Sequence, residues 1–123
     1  MVNQQTNFSI FFRNIIANSL FTERQISIIS NRLTSKNIIQ NVSRGAYHRQ
    51  LKQCRDKVVR HLYSMLLLES IGALDDQTLS VLRTLADQIA VMSEIEERDI
   101  HHERDIQNVI CTINEIIRKM CNV

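Results

Sequence analysis

The chain has 123 residues, 44 % of them apolar and 23 % charged, with a net charge of +2, which fits one compact domain, or a small domain with an extended arm, with apolar content enough for a core. Proline is absent, Gly45 and Gly72 are the only glycines and aromatics are scarce, so most of the punctuation that hairpins and sheets need is missing and an all-α fold is expected. The polar start MVNQQTNF lacks the charged-then-apolar order of a signal peptide, and the longest apolar run, Met65 to Leu68, is far too short to span a bilayer.

Charge is unevenly spread. Seven Lys or Arg stand against the single acid Asp56 between Lys36 and His61, whereas ten acids stand against three arginines between Glu69 and Asp105. This pattern fits one surface for an anionic partner and another kept off it, or else two solvated faces with local salt bridges. Cys54, Cys111 and Cys121 are widely spaced and form no C-x-x-C pair, which argues against a disulfide framework or a zinc finger. Each falls at or near an apolar helix position, so buried free thiols in a reducing cytoplasm are expected.

In chain order, Asn7 or Ser9 can cap a first helix in which Phe8, Phe11, Phe12, Ile15, Ile16 and Leu20 recur at three-to-four spacing. That face is too apolar to stand alone and is expected to pack on other helices or in a dimer. FTERQISIISNRL follows. Thr22 and Gln25 form a T-x-x-Q capping box, Phe21 and Ile26 occupy the staple positions, and Ile26, Ile29 and Leu33 supply an expected buried face. TSKNIIQN offers one turn of helix with Ile38 and Ile39, then Asn41 as a turn residue.

A long helix is expected from Val42 to Leu74, with Ser43 as N-cap, a staple of Val42 and Tyr47, and Gly72 closing its end. Tyr47, Leu51, Cys54, Val58, Leu62 and Met65 make one continuous apolar stripe, with His48, Arg49, Lys52 and Arg60 projecting elsewhere. Past Leu62 the helix is apolar all round, as expected of a segment enclosed by partners. Asp75 can cap the final stretch, stapled by Leu74 and Leu79. Leu79, Leu82, Ala86, Ile89 and Met92 form one coiled-coil-like seam, and Val109, Ile110, Ile113, Ile116, Ile117 and Met120 form another. Either one helix of about 65 Å runs through, or the arm breaks near His101 and folds back as a hairpin.

FTERQISIISNRL followed by NVSRGAYHRQLKQCRDKV, about residues 21–59, resembles the helix-turn-helix of LuxR-type regulators and the fourth region of bacterial sigma factors. Those families open on a similar L-T-x-R-E/Q helix start and place a Ser or Thr cap before the DNA-reading helix; the middle helix is shorter here and carries Ile38 and Ile39. The resemblance implies a helical head over residues 1–74 with helix-turn-helix at about 22–60, and a dimerisation arm over 75–123. It implies sequence-specific binding of double-stranded DNA by a homodimer that regulates transcription. By position Arg44, Tyr47, His48 and Arg49, with Lys52 and Arg55 further along, would face the groove, although Tyr47 also lies on the apolar stripe and fits the core better; Gly45 would allow close approach of backbone to DNA, or else close packing on a neighbouring helix. Arg44 or Arg49 would make a bidentate contact to guanine, and Ser43, Lys36 and Lys52 would bind phosphate.

Glu97, His101 and Asp105 share a helix face, with His102 beside them, and fit either a divalent ion between two copies or a hydrated charged segment; no metal or other cofactor is expected. No nucleophile stands beside a base and orienter, and there is no Gly-rich phosphate loop, so no enzymatic activity is expected. The alternative to a DNA-binding regulator is a non-enzymatic helical adaptor that binds a protein through its C-terminal arm.

Overall fold

A computed structural model describes residues 8–34, 43–98 and 103–123, which form five helices and no strand. The chain is all-α. The helices are α1 (Ile10–Ala17), α2 (Glu23–Leu33), α3 (Arg44–Ser70), α4 (Asp76–Arg98) and α5 (Glu103–Met120).

The helix starts are made by the residues whose side chains suit them. Ser9 Oγ accepts from the Phe12 backbone N–H at 3.1 Å, Ser43 Oγ from Ala46 at 3.1 Å and Asp75 Oδ1 from Thr78 at 2.8 Å. Each satisfies a donor that the first turn leaves without an intrahelical partner. The bonds from Thr78 hold the exposed Asp75 carboxyl below the usual carboxylate range. At α2 the capping box is complete: Thr22 Oγ1 accepts from the Gln25 N–H at 3.1 Å, and Gln25 Oε1 accepts from the Thr22 N–H at 3.0 Å. Gly72 ends α3 at φ 82°, with the Gly72 N–H bonded to the Glu69 carbonyl at 3.0 Å and the Ala73 N–H to the Leu68 carbonyl at 2.8 Å. That is a Schellman closure, and the positive φ is why glycine stands there.

Two apolar cores result. In one, Phe11 of α1, 0 % exposed, packs with Leu85 of α4 and Ile106, Ile110 and Ile113 of α5. The arm therefore folds back as a hairpin, and α1 lies against both of its helices. In the other, Ile28 of α2 meets Cys54 of α3, with Ile29, Tyr47 and Leu51 around them. Helices α1 and α2 touch and are tied by an Arg13–Glu23 ion pair at 3.5 Å.

Several expected faces are rotated or uncovered. The centre of the α2 face is Ile28 rather than the Ile26–Ile29–Leu33 line, and Leu33 is 78 % exposed because it lies at the end of α2, past the last partner on α3. Among the described side chains of α4 the buried apolar residue is Leu85, with Val81, Ile89 and Met92 beside it, while Ala86 is exposed. Two apolar lines run up the first turns of α4, and α1 with α5 covers the line through Leu85. Ile106 extends the α5 seam by a turn. The α3 stripe is covered only as far as Val58: Leu62 and Met65 are exposed, as is every residue from Leu62 to Ile71, because α2 begins opposite Lys57 and no described element lies farther along. Cys54 is buried but Cys111 and Cys121 are exposed, and all three are free thiols.

Candidate nucleic-acid interface

Helices α2 and α3 run antiparallel, and their contacts are ordered along both. Near one end the Tyr47 hydroxyl donates to Asn31 Oδ1 at 3.1 Å. In the middle the Cys54 thiol donates to the Gln25 carbonyl at 3.8 Å, and Arg24 Nε donates to Gln50 Oε1 at 3.2 Å. At the other end Lys57 Nζ donates to Gln25 Oε1 at 3.1 Å and sits 5.2 Å from the centre of the Phe21 ring, which stacks on His61 at 4.7 Å. The Gln25 side chain thus closes the α2 cap and anchors α3 at once. Burial pushes the Cys54 thiol up, the nearby Lys57 only partly opposing it, and the side chain, 1 % exposed, packs against α2.

This packing fixes which side of α3 faces outward. Arg44, His48, Lys52 and Arg55, spaced four, four and three apart, line one flank of α3 about a quarter-turn from the Tyr47–Cys54 stripe, and Arg49 lies on the side opposite that stripe. Ser43, Arg44, Gly45, His48, Arg49, Lys52 and Arg55 are all exposed, so the expected site residues within the described chain come together on one surface. Lys36 lies outside the described residues, as does the Ile38–Ile39 turn on which the helix-turn-helix crossing depends. Among the described residues no hydrogen bond or ion pair engages the Arg44, Arg49, Lys52 or Arg55 side chain. From Arg44 to Arg55 the surface is roughly 16 Å long at 1.5 Å per residue, the scale of one groove crossing.

Individual residues sharpen this surface. Ser43 uses an oxygen lone pair for capping and retains its O–H for donation to an acceptor such as phosphate. A Cβ at Gly45 would meet only Arg49 Nη1, at 4.0 Å, so among the described residues no neighbouring helix requires glycine there. Tyr47 is half-buried against α2 and belongs to the core. Sequence reasoning did not single out the cleft of about 430 Å³ lined by Leu20, Asp56, Lys57, Arg60, His61 and Ser64. Its basic members continue the positive surface on the flank of α3; the i, i+3, i+4 spacing of Lys57, Arg60 and His61 carried that signal.

Among the described residues no group of three His, Cys, Asp or Glu side chains is placed to hold a metal ion. Of Glu97, His101, His102 and Asp105, only the Asp105 side chain is described, and it is exposed. No described helix is long and apolar enough to cross a membrane. No protein-family model, curated protein or solved structure matches the chain.

Proposed function

We propose that the chain is a non-enzymatic, cytoplasmic regulator of transcription that binds double-stranded DNA as a homodimer through the outward side of α3. The supporting observation is the row of Arg44, Lys52 and Arg55 on one flank of α3, with Arg49 on the side opposite α2, all exposed and unengaged among the described residues. Guanidinium groups near the helix start suit bidentate contact with guanine O6 and N7, and Lys52 and Arg55 suit phosphate. The α2 contacts position α3 without using these side chains.

Fluorescence anisotropy with a labelled duplex, titrated with salt, tests the reading. Binding weakens steeply with salt, and an Arg44→Ala/Arg49→Ala/Lys52→Ala variant loses affinity and about two to three units of the log–log salt slope. Absence of binding at low salt overturns it. The adaptor reading draws on a different observation, the exposed apolar end of α3. On the C-terminal arm, through which such an adaptor would bind its partner, Val91 and Ile117 are likewise 55 % and 43 % exposed.

A further inference from the structure

Leu62, Tyr63, Met65, Leu66, Leu67 and Ile71 are exposed by 43–69 %. Those that share one side of the helix, Leu62, Tyr63 and Leu66, with Val59 at 43 %, present several hundred Å² of apolar surface, in the range of the roughly 300–600 Å² largest patch of a typical monomer, which is often functional. Between Leu62 and Leu74 the only charged side chain is Glu69, so covering this surface desolvates little charge.

The geometry points to this half of α3 as the seam of a two-fold homodimer, with a second copy lying antiparallel along Val59, Leu62, Tyr63 and Leu66. Val59, Leu62 and Leu66 follow the three-and-four spacing of a coiled-coil seam, with Tyr63 at its edge. They continue the line of Arg44, His48, Lys52 and Arg55 along the same side of the helix. Charge sets the direction. A parallel pair would stack the two basic halves against each other, whereas an antiparallel pair sends them to opposite ends and makes the contact isologous. With the seam centred between Leu62 and Tyr63, the second α3 ends opposite Cys54 and Arg55, and Arg44, His48, Arg49 and Lys52 extend past it. The two basic stretches then lie at opposite ends of the seam, roughly 43 Å apart along the axis at 1.5 Å per residue.

The proposal rests on the dimeric part of the reading above and not on DNA. Sedimentation equilibrium of the full chain without DNA gives twice its 14.3 kDa mass, and Leu62→Glu/Leu66→Glu raises the dimer dissociation constant by about a hundredfold or more. Both side chains are exposed, so helical circular dichroism is retained. Spin labels at Gln53→Cys, in a Cys111→Ser/Cys121→Ser background, lie roughly 30 Å apart along the helix axis in the antiparallel dimer, against about 10 Å in a parallel one. A monomer at tens of micromolar, a dimer indifferent to the double glutamate, or the short distance each overturns the proposal. An Arg44→Ala/Arg49→Ala/Lys52→Ala protein that no longer binds DNA but still dimerises separates failure of the DNA reading from failure of the seam.

Discussion

The two cores are unequal. Around Phe11 the chain buries Leu85, Ile106, Ile110 and Ile113 with a wide collar of partly buried apolar side chains, whereas between α2 and α3 the buried apolar residues among those described are Ile28 and Cys54. The smaller core is supplemented by directed polar ties, Gln25 to Lys57, Asn31 to Tyr47 and Arg24 to Gln50. Apolar area sets most of a core's stabilisation, while hydrogen bonds contribute about 1 kcal/mol each and fix geometry. The difference teaches that the α1–α4–α5 bundle carries the stability, while the α2–α3 hairpin carries the orientation of the basic surface.

The largest expected effects break the comparison directly. Phe11→Ala leaves a cavity in the main core, costs about 3–5 kcal/mol and unfolds both parts together. Ile28→Ala costs about 2–4 kcal/mol, and its hydrogen exchange shows α2 and α3 amides opening while those around Ile110 stay protected. Equal loss of protection in both would erase the distinction. Gln25→Ala removes the reciprocal half of the cap and the Lys57 acceptor, for about 1 kcal/mol, read as a lowered Tm with a shifted Phe21–His61 stack. Gly45→Ala raises stability by up to about 1 kcal/mol, since among the described residues the added methyl would meet only the flexible Arg49 tip, at 4.0 Å. If the same variant weakens duplex binding, close approach of the backbone is part of the contact.

The smallest effect is chemical. Cys111 and Cys121 react with a maleimide at pH 7–8 in the folded protein, whereas Cys54 reacts only on opening of the hairpin. The raised Cys54 pKa favours the folded state below the ordinary thiol value of about 8.5. That contribution is lost as pH rises through the folded pKa. Cys54 labelling therefore accelerates in alkali more than thiolate formation alone would require, and Ile28→Ala brings the acceleration to lower pH.

Local chemistry was the most legible part of the sequence. The Thr22–Gln25 box, the Ser43 and Asp75 caps and the Gly72 terminus act through neighbours within a few positions, so their meaning survives without knowledge of the fold. Which apolar line is covered was not legible. Leu85 and Ala86 both sit on credible stripes of α4, and only the arrival of α1 and α5 selects Leu85. Periodicity showed that Leu62 to Ile71 seeks a partner, but the expected enclosure is not supplied within the described chain, because α2 is too short to reach it. The outward direction of Arg44, His48 and Lys52 was readable as the complement of the Tyr47–Leu51–Cys54 stripe. The tethers Arg24–Gln50 and Lys57–Gln25 were not, since each joins residues far apart in sequence.

The placement of Phe11 has a kinetic consequence. Its partners on α4 and α5 follow it by most of the length of the chain, with the whole α2–α3 hairpin intervening. On a ribosome, the α2–α3 hairpin emerges complete while Phe11 still waits for Ile110, and the closure that buries it must gather nearly the entire polypeptide. Chain order and loop closure therefore favour contact within the weaker core first, and the basic surface becomes durable only when the last helix closes on Phe11.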